Sequence, residues 1–138
     1  MIGFLEERLK IKFKKMTTQE MTTQEIANRL VALCLEGNNV EAVNELFSDS
    51  AVSIECDDTM GEKIVEGKAG ILGKQEIFHS MLKEFHGQEI STPIVGGNHF
   101  SISWSIDVTF KGQGRIQMSE ICVYKVENGK IVSEQFFY

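Results

Sequence analysis

The stretch that decides the fold is His99-Phe100-Ser101-Ile102-Ser103-Trp104-Ser105-Ile106-Asp107-Val108-Thr109-Phe110. From Phe100 to Phe110 every even-numbered residue is apolar and every odd-numbered one is polar. A period of two over this length is the signature of a β-strand with one buried and one solvated face. Lys111-Gly112-Gln113-Gly114 then turns the chain into a second apolar-rich run, Arg115 to Glu127. Asn128-Gly129, which favours positive φ at both positions, turns it again into Lys130 to Tyr138. Three long strands in meander order form the second half of the chain.

Working back from that meander, the period changes to that of a helix. A first helix is expected from about Thr23 to Glu36, with Ile26, Leu30 and Leu33 on one stripe and Gly37 as its left-handed stop. Thr22 and Glu25 are spaced as a capping box. Asn38 or Asn39 can cap a second helix whose stripe is Val40, Val43, Leu46 and Phe47, ending at Ser48-Asp49-Ser50. Short strands are expected at Ala51 to Cys56 and Lys63 to Gly67, around the polar turn Asp57 to Gly61. A third helix is expected from Lys74 to His86, with Ile77, Phe78, Met81, Leu82 and Phe85 on one face and Gly87 at its end. Helices followed by a meander make an α+β domain.

The pentapeptide Met16-Thr17-Thr18-Gln19-Glu20 recurs as Met21-Thr22-Thr23-Gln24-Glu25, too short to be a structural repeat. The expected organisation is a peripheral extension over residues 1–21 and one domain over 22–138. An apolar share of 42% with 25% charged residues is that of an ordinary globular chain and excludes wholesale disorder. Net charge is −6; residues 1–15 carry +3, leaving −9 for the rest. That acidic body argues against nucleic acid as a partner, and no apolar run is long enough to span a membrane. Cys34, Cys56 and Cys122 form no metal or redox motif with His79, His86 and His99. No metal and no cofactor is therefore expected, and free thiols point to a reducing, cytoplasmic location.

Glu120 is the residue that asks for chemistry. On the face formed by Ile116, Met118, Glu120, Cys122, Tyr124 and Val126 it is the only charged side chain. A carboxyl among apolar neighbours resists ionisation and can serve as an acid or hydrogen-bond donor. The plainer alternative is a hydrated glutamate, or one paired with Arg115 or a histidine.

Two stretches resemble the nuclear transport factor 2-like superfamily, which includes ketosteroid isomerases and SnoaL-like polyketide cyclases. They are Leu33 to Ala51, with "Glu-Gly-Asn-Asn" and "Leu-Phe-Ser-Asp-Ser-Ala", and Gly114 to Phe137, with its Asn-Gly-Lys turn. The resemblance implies a cone-shaped, curved antiparallel sheet with three helices over its concave face. It also implies a homodimer through the outer sheet face. The pocket would hold a small, largely apolar ligand, lined by Leu30, Phe47, Phe78, Leu82, Trp104, Met118, Cys122 and Phe136. Glu120 falls at or beside the isomerases' penultimate-strand acid, and Glu55, next to Asp57 and Asp58, near their catalytic base. Leu30 takes the place of their first-helix tyrosine; leucine donates no hydrogen bond, so steroid isomerisation by that route is disfavoured. Three functions stay open: a ligand-binding pocket, an isomerase- or lyase-like proton-transfer enzyme using Glu120 and Glu55, and a non-catalytic dimerisation module.

Overall fold

The computed structural model describes residues 20–138. Residues 1–19, including most of the expected extension and the first copy of the repeated pentapeptide up to Gln19, lie outside the described residues. Helix α1 (Thr23–Leu35) starts with the expected capping box: the Glu25 amide donates to Thr22 Oγ1 at 3.1 Å, and the Thr22 amide donates to Glu25 Oε1 at 3.0 Å. Its stripe Ile26, Ala27, Leu30, Leu33 and Cys34 is buried. Helix α2 (Asn39–Leu46) buries Ala42, Val43 and Leu46, whereas Val40, expected on that stripe, is 51% exposed. The helix stops a residue early. Phe47 is buried as the first residue of β1 (Phe47–Ile54), so Ser48, Asp49 and Ser50 belong to a strand instead of a break.

After β2 (Ile64–Glu66) comes helix α3 (Lys68–Met81), which begins six residues before the expected start and ends five before the expected stop. The segment Leu82–Ile90, whose first half reads as helix, is strand β3. Leu82 and Phe85 continue the helical spacing of Ile77, Phe78 and Met81, so periodicity alone extends the helix through them. The competing force is the open edge of β5 (His99–Phe110), which β3 satisfies by antiparallel pairing from Leu82 opposite Phe110 to Ile90 opposite Trp104. Tertiary pairing overrides local periodicity here. Short β4 (Ile94–Gly96) also pairs with β5, and β6 (Gly114–Glu127) and β7 (Lys130–Phe137) complete the expected meander. The Asn128-Gly129 turn has φ of 51° and 73°, the conformation that dipeptide favours.

The sheet runs β2-β1-β7-β6-β5-β3. All pairings are antiparallel except β1 with β7, which is parallel. The one exception to the antiparallel sheet expected arises because β7, the last strand, returns beside β1 and runs in the same direction. The curled sheet and three helices form the α+β cone. Its sealed core joins α1 and α2 to Phe100, Ile102, Cys122, Tyr124 and Ile131, with the Phe100 and Tyr124 rings stacked at 4.7 Å. Among the described residues no helix is long and apolar enough to cross a membrane.

Candidate functional site

Register places the concave face in rows across β5, β6 and β7, because residues opposite one another point to the same side. Phe100, Tyr124 and Glu134 form one row, Ile102, Cys122 and Phe136 the next. Trp104 lies opposite Glu120, and the pairing of Ile121 with Phe137 puts Tyr138 next to Glu120 on the other side. Ile106 with Met118 and Val108 with Ile116 follow. The first two rows are mostly sealed. Beyond Glu120 the cover is uneven: Trp104, Ile106 and Met118 are half-buried, Ile116 is 47% exposed and Phe85, opposite Val108 on β3, is 50% exposed, while Val108 and Phe110 themselves are buried. Glu120 thus stands where a closed apolar core gives way to a less completely covered apolar half of the cone.

Burial pushes the Glu120 carboxyl up to about 7, the negative charge of Glu55 adds to the rise, and the Cys122 thiol and Lys74 oppose it. The Cys122 thiol donates to Glu120 Oε1 at 3.6 Å. Neither Arg115 nor a histidine is its partner. Arg115 makes a two-pronged ion pair with Asp107, at 2.9 and 2.7 Å, and both side chains belong to the opposite face of the sheet. His86 Nε2 meets Thr109 Oγ1 at 2.7 Å on β3, and His79 is exposed on α3. His99 is exposed at the start of β5.

Glu55, just past β1, does come to Glu120, and Lys74 of α3 makes an ion pair with it. The Lys74 ammonium also donates to Ser53 Oγ at 2.8 Å and lies 4.9 Å from the centre of the Phe136 ring. Glu134 of β7 sits on the same concave face, 8% exposed. Burial pushes it too up to about 7, opposed by the Ser53 hydroxyl and Lys74. The Tyr138 phenol is pushed up to about 12 by burial and by the carboxylates of Glu55 and Asp57.

Of the expected pocket residues, Trp104, Met118, Cys122 and Phe136 gather around Glu120. Leu30 and Phe47 belong to the sealed core, 3% and 2% exposed. Phe78 packs edge-on against Phe110 at 5.8 Å, and Leu82 pairs opposite Phe110. Phe110 lies six positions along β5 from Trp104, roughly 20 Å, so these two sit well away from Glu120. Lys74, Ser53, Glu134, Tyr138 and Gln88 were not expected. Gln88 joins the site to α1: the Trp104 indole N–H donates to Gln88 Oε1 at 3.0 Å, and Gln88 Nε2 donates to the Cys34 carbonyl at 2.9 Å. Glu134 carries the same sequence signal as Glu120, an acid between Val132, Phe136 and Tyr138 at period two.

A family model described as a SnoaL-like domain matches residues 21–138. Among solved structures, a candidate SnoaL-like polyketide cyclase from Mesorhizobium loti is 33% identical with a TM-score of 0.80, covering 86% of this chain and 100% of its own. A protein of cystatin-like fold from Xanthomonas campestris (15% identical, TM-score 0.73, 85% and 90% covered) shares the fold. So does a nuclear transport factor 2-like protein from Burkholderia thailandensis (13% identical, TM-score 0.73, 85% and 90% covered). No curated protein matches the chain.

Proposed function

The chain belongs to the SnoaL-like domain family of the nuclear transport factor 2-like superfamily, and from that premise we propose that it binds a small, largely apolar molecule in the less completely covered half of its cone, with Glu120 as the central polar contact. The observation that carries this reading is the position of Glu120. It is one carboxyl at the boundary of sealed and less completely covered apolar surface, opposite Trp104 and pushed up to about 7 by burial. Apolar walls supply affinity in such sites, and a few placed polar groups fix orientation. A thermal-shift screen of wild type and Glu120→Gln against steroids, polyketides and flavonoids tests it. A ligand at 100 times its dissociation constant adds about 2.7 kcal/mol. A hit that weakens in the variant supports the reading; a side chain shown to face bulk water ends it.

Proton transfer is a second reading, favoured by the pairing of unlike carboxyls. Glu55, in its ion pair with Lys74, is the base, and Glu120, still in part protonated at neutral pH, is the acid. A bell-shaped pH–rate profile lost in Glu120→Gln on any substrate found by the screen would establish it.

For the partner, the reading is a homodimer through the outer sheet face. Ile121 and Phe137, opposite each other on β6 and β7, are each 46% exposed there. Light scattering of wild type and Ile121→Asp tests this: a dimer lost in the variant supports it, and a wild-type monomer rejects it. A dimer that survived Glu120→Gln and bound nothing would favour the dimerisation module. Three free thiols support a reducing, cytoplasmic location.

A further inference from the structure

We infer that the polar end of the ligand is an alkylammonium group, seated over the carboxylate of Glu120 between the rings of Trp104 and Tyr138. The inference rests on the pocket reading above and names the chemistry of its ligand.

Three observations converge on it. Glu120 lies opposite Trp104 on β5, and the strand register carried one residue past the Ile121–Phe137 pair puts Tyr138, 56% exposed with its phenol beside Glu55, at its other side. The faces of aromatic rings attract organic cations, and a carboxylate between two rings adds a charge of the right sign. Second, the charges of the cluster do not close. Glu55 is matched by Lys74, but Glu120 has no ion-pair partner among the described residues, and the thiol of Cys122 is its only hydrogen-bond partner among them. A half-buried carboxylate left so must hold a proton or meet a cation. Third, the cluster already contains an ammonium–aromatic contact of its own, Lys74 at 4.9 Å from the Phe136 ring centre.

Other ligand chemistries fit less well. An anion would face Glu55, Glu120 and Glu134 with Lys74 already committed. A metal ion finds no group of three His, Cys, Asp or Glu among the described residues placed to hold it. An alkylammonium needs only one carboxylate and the ring faces.

Binding should displace the proton of Glu120. The groups around that carboxyl are Glu55 beyond β1, Lys74 on α3, Cys122 on β6, Glu134 on β7, and Tyr138 with Asp57 at the rim. Of these, Glu120 and Glu134 are pushed up into the neutral range, and Glu134 lies a further two rows into the sealed core. Affinity for a cation should therefore rise from about pH 6 to about pH 8 as Glu120 ionises, while affinity for a neutral analogue stays flat.

The probes are choline and its uncharged isostere 3,3-dimethylbutan-1-ol, titrated against the full chain. Trp104 is the only tryptophan of the chain, so its fluorescence reports on this site alone. The expected result is that choline binds at least about tenfold more tightly than the alcohol at pH 8, with the preference shrinking at pH 6. Glu120→Gln should abolish that preference, and Tyr138→Leu should weaken choline about three- to tenfold and the alcohol by less. Equal or tighter binding of the alcohol would overturn the ammonium inference and leave the apolar-pocket reading intact. No response to choline at millimolar concentration would overturn it as well, and the pocket reading would then stand or fall on the neutral screen. A choline preference unchanged in Glu120→Gln would move the cation to another group and contradict the assignment.

Discussion

Replacing Glu120 by Gln should stabilise the protein at alkaline pH and do almost nothing at pH 4. Glutamine keeps the shape of the protonated acid and removes the ionisation that burial opposes. The folded-state value is raised from the ordinary 4.5 to about 7. In wild type the contribution is therefore fully present below about pH 4.5, where both states hold the proton. It is lost progressively as pH rises to about 7, because the unfolded chain ionises first, and the loss is constant above that. The gap between the two values corresponds to roughly 3 kcal/mol at pH 8. At roughly 3–5 °C per kcal/mol for a domain of this size, Glu120→Gln should melt about 10 °C above wild type at pH 8 and within a degree or two of it at pH 4. Glu134, raised mainly by burial and in part by the charge of Glu120, gives both proteins a decline, somewhat smaller in the variant, so the test is the difference between their slopes. Calorimetry at a series of pH values measures it. Superimposable curves for the two proteins would refute the reasoning, because they would mean that water reaches the Glu120 carboxyl.

Lys74→Met should lower stability by roughly 2 kcal/mol, since it leaves Glu55 half-buried without its cation; denaturant midpoints should show the loss partly recovered in Lys74→Met/Glu55→Gln. Gln88→Ala removes the acceptor of the Trp104 indole and the donor to the Cys34 carbonyl, so the indole N–H resonance should move and stability fall by roughly 1–3 kcal/mol. Gly70→Ala should cost roughly 1–3 kcal/mol by thermal melting, because its new methyl would meet Val65 Cγ1 at 2.7 Å where α3 crosses β2.

Where the sequence carried the fold, it did so through signals that packing had no reason to override. The alternation of Phe100 to Phe110 and the Asn128-Gly129 turn both reappear in the structure, as does the Thr22–Glu25 cap, because each is enforced within a few residues. Leu82 to Ile90 misled for the opposite reason: Leu82 and Phe85 suit a helix locally, and only the open edge of β5, ahead in the chain, makes them a strand. The same distance hid the site. Glu120 stood out on its own strand, and Glu134 could have been found by the same criterion on β7. Lys74 could not: its reach to Glu55 and Ser53 depends on how α3 crosses the sheet. Nor could the parallel pairing of β1 with β7, which brings Ser53 beside Glu134 across some eighty residues of chain.

The most direct test is a carbon-detected NMR titration of the Glu120 side-chain carboxyl, assigned by its loss in Glu120→Gln. A midpoint near 7 is the result that a carboxyl at the edge of an apolar pocket should give. A midpoint near the ordinary 4.5 would place that carboxyl in water and remove the polar centre around which the pocket is argued.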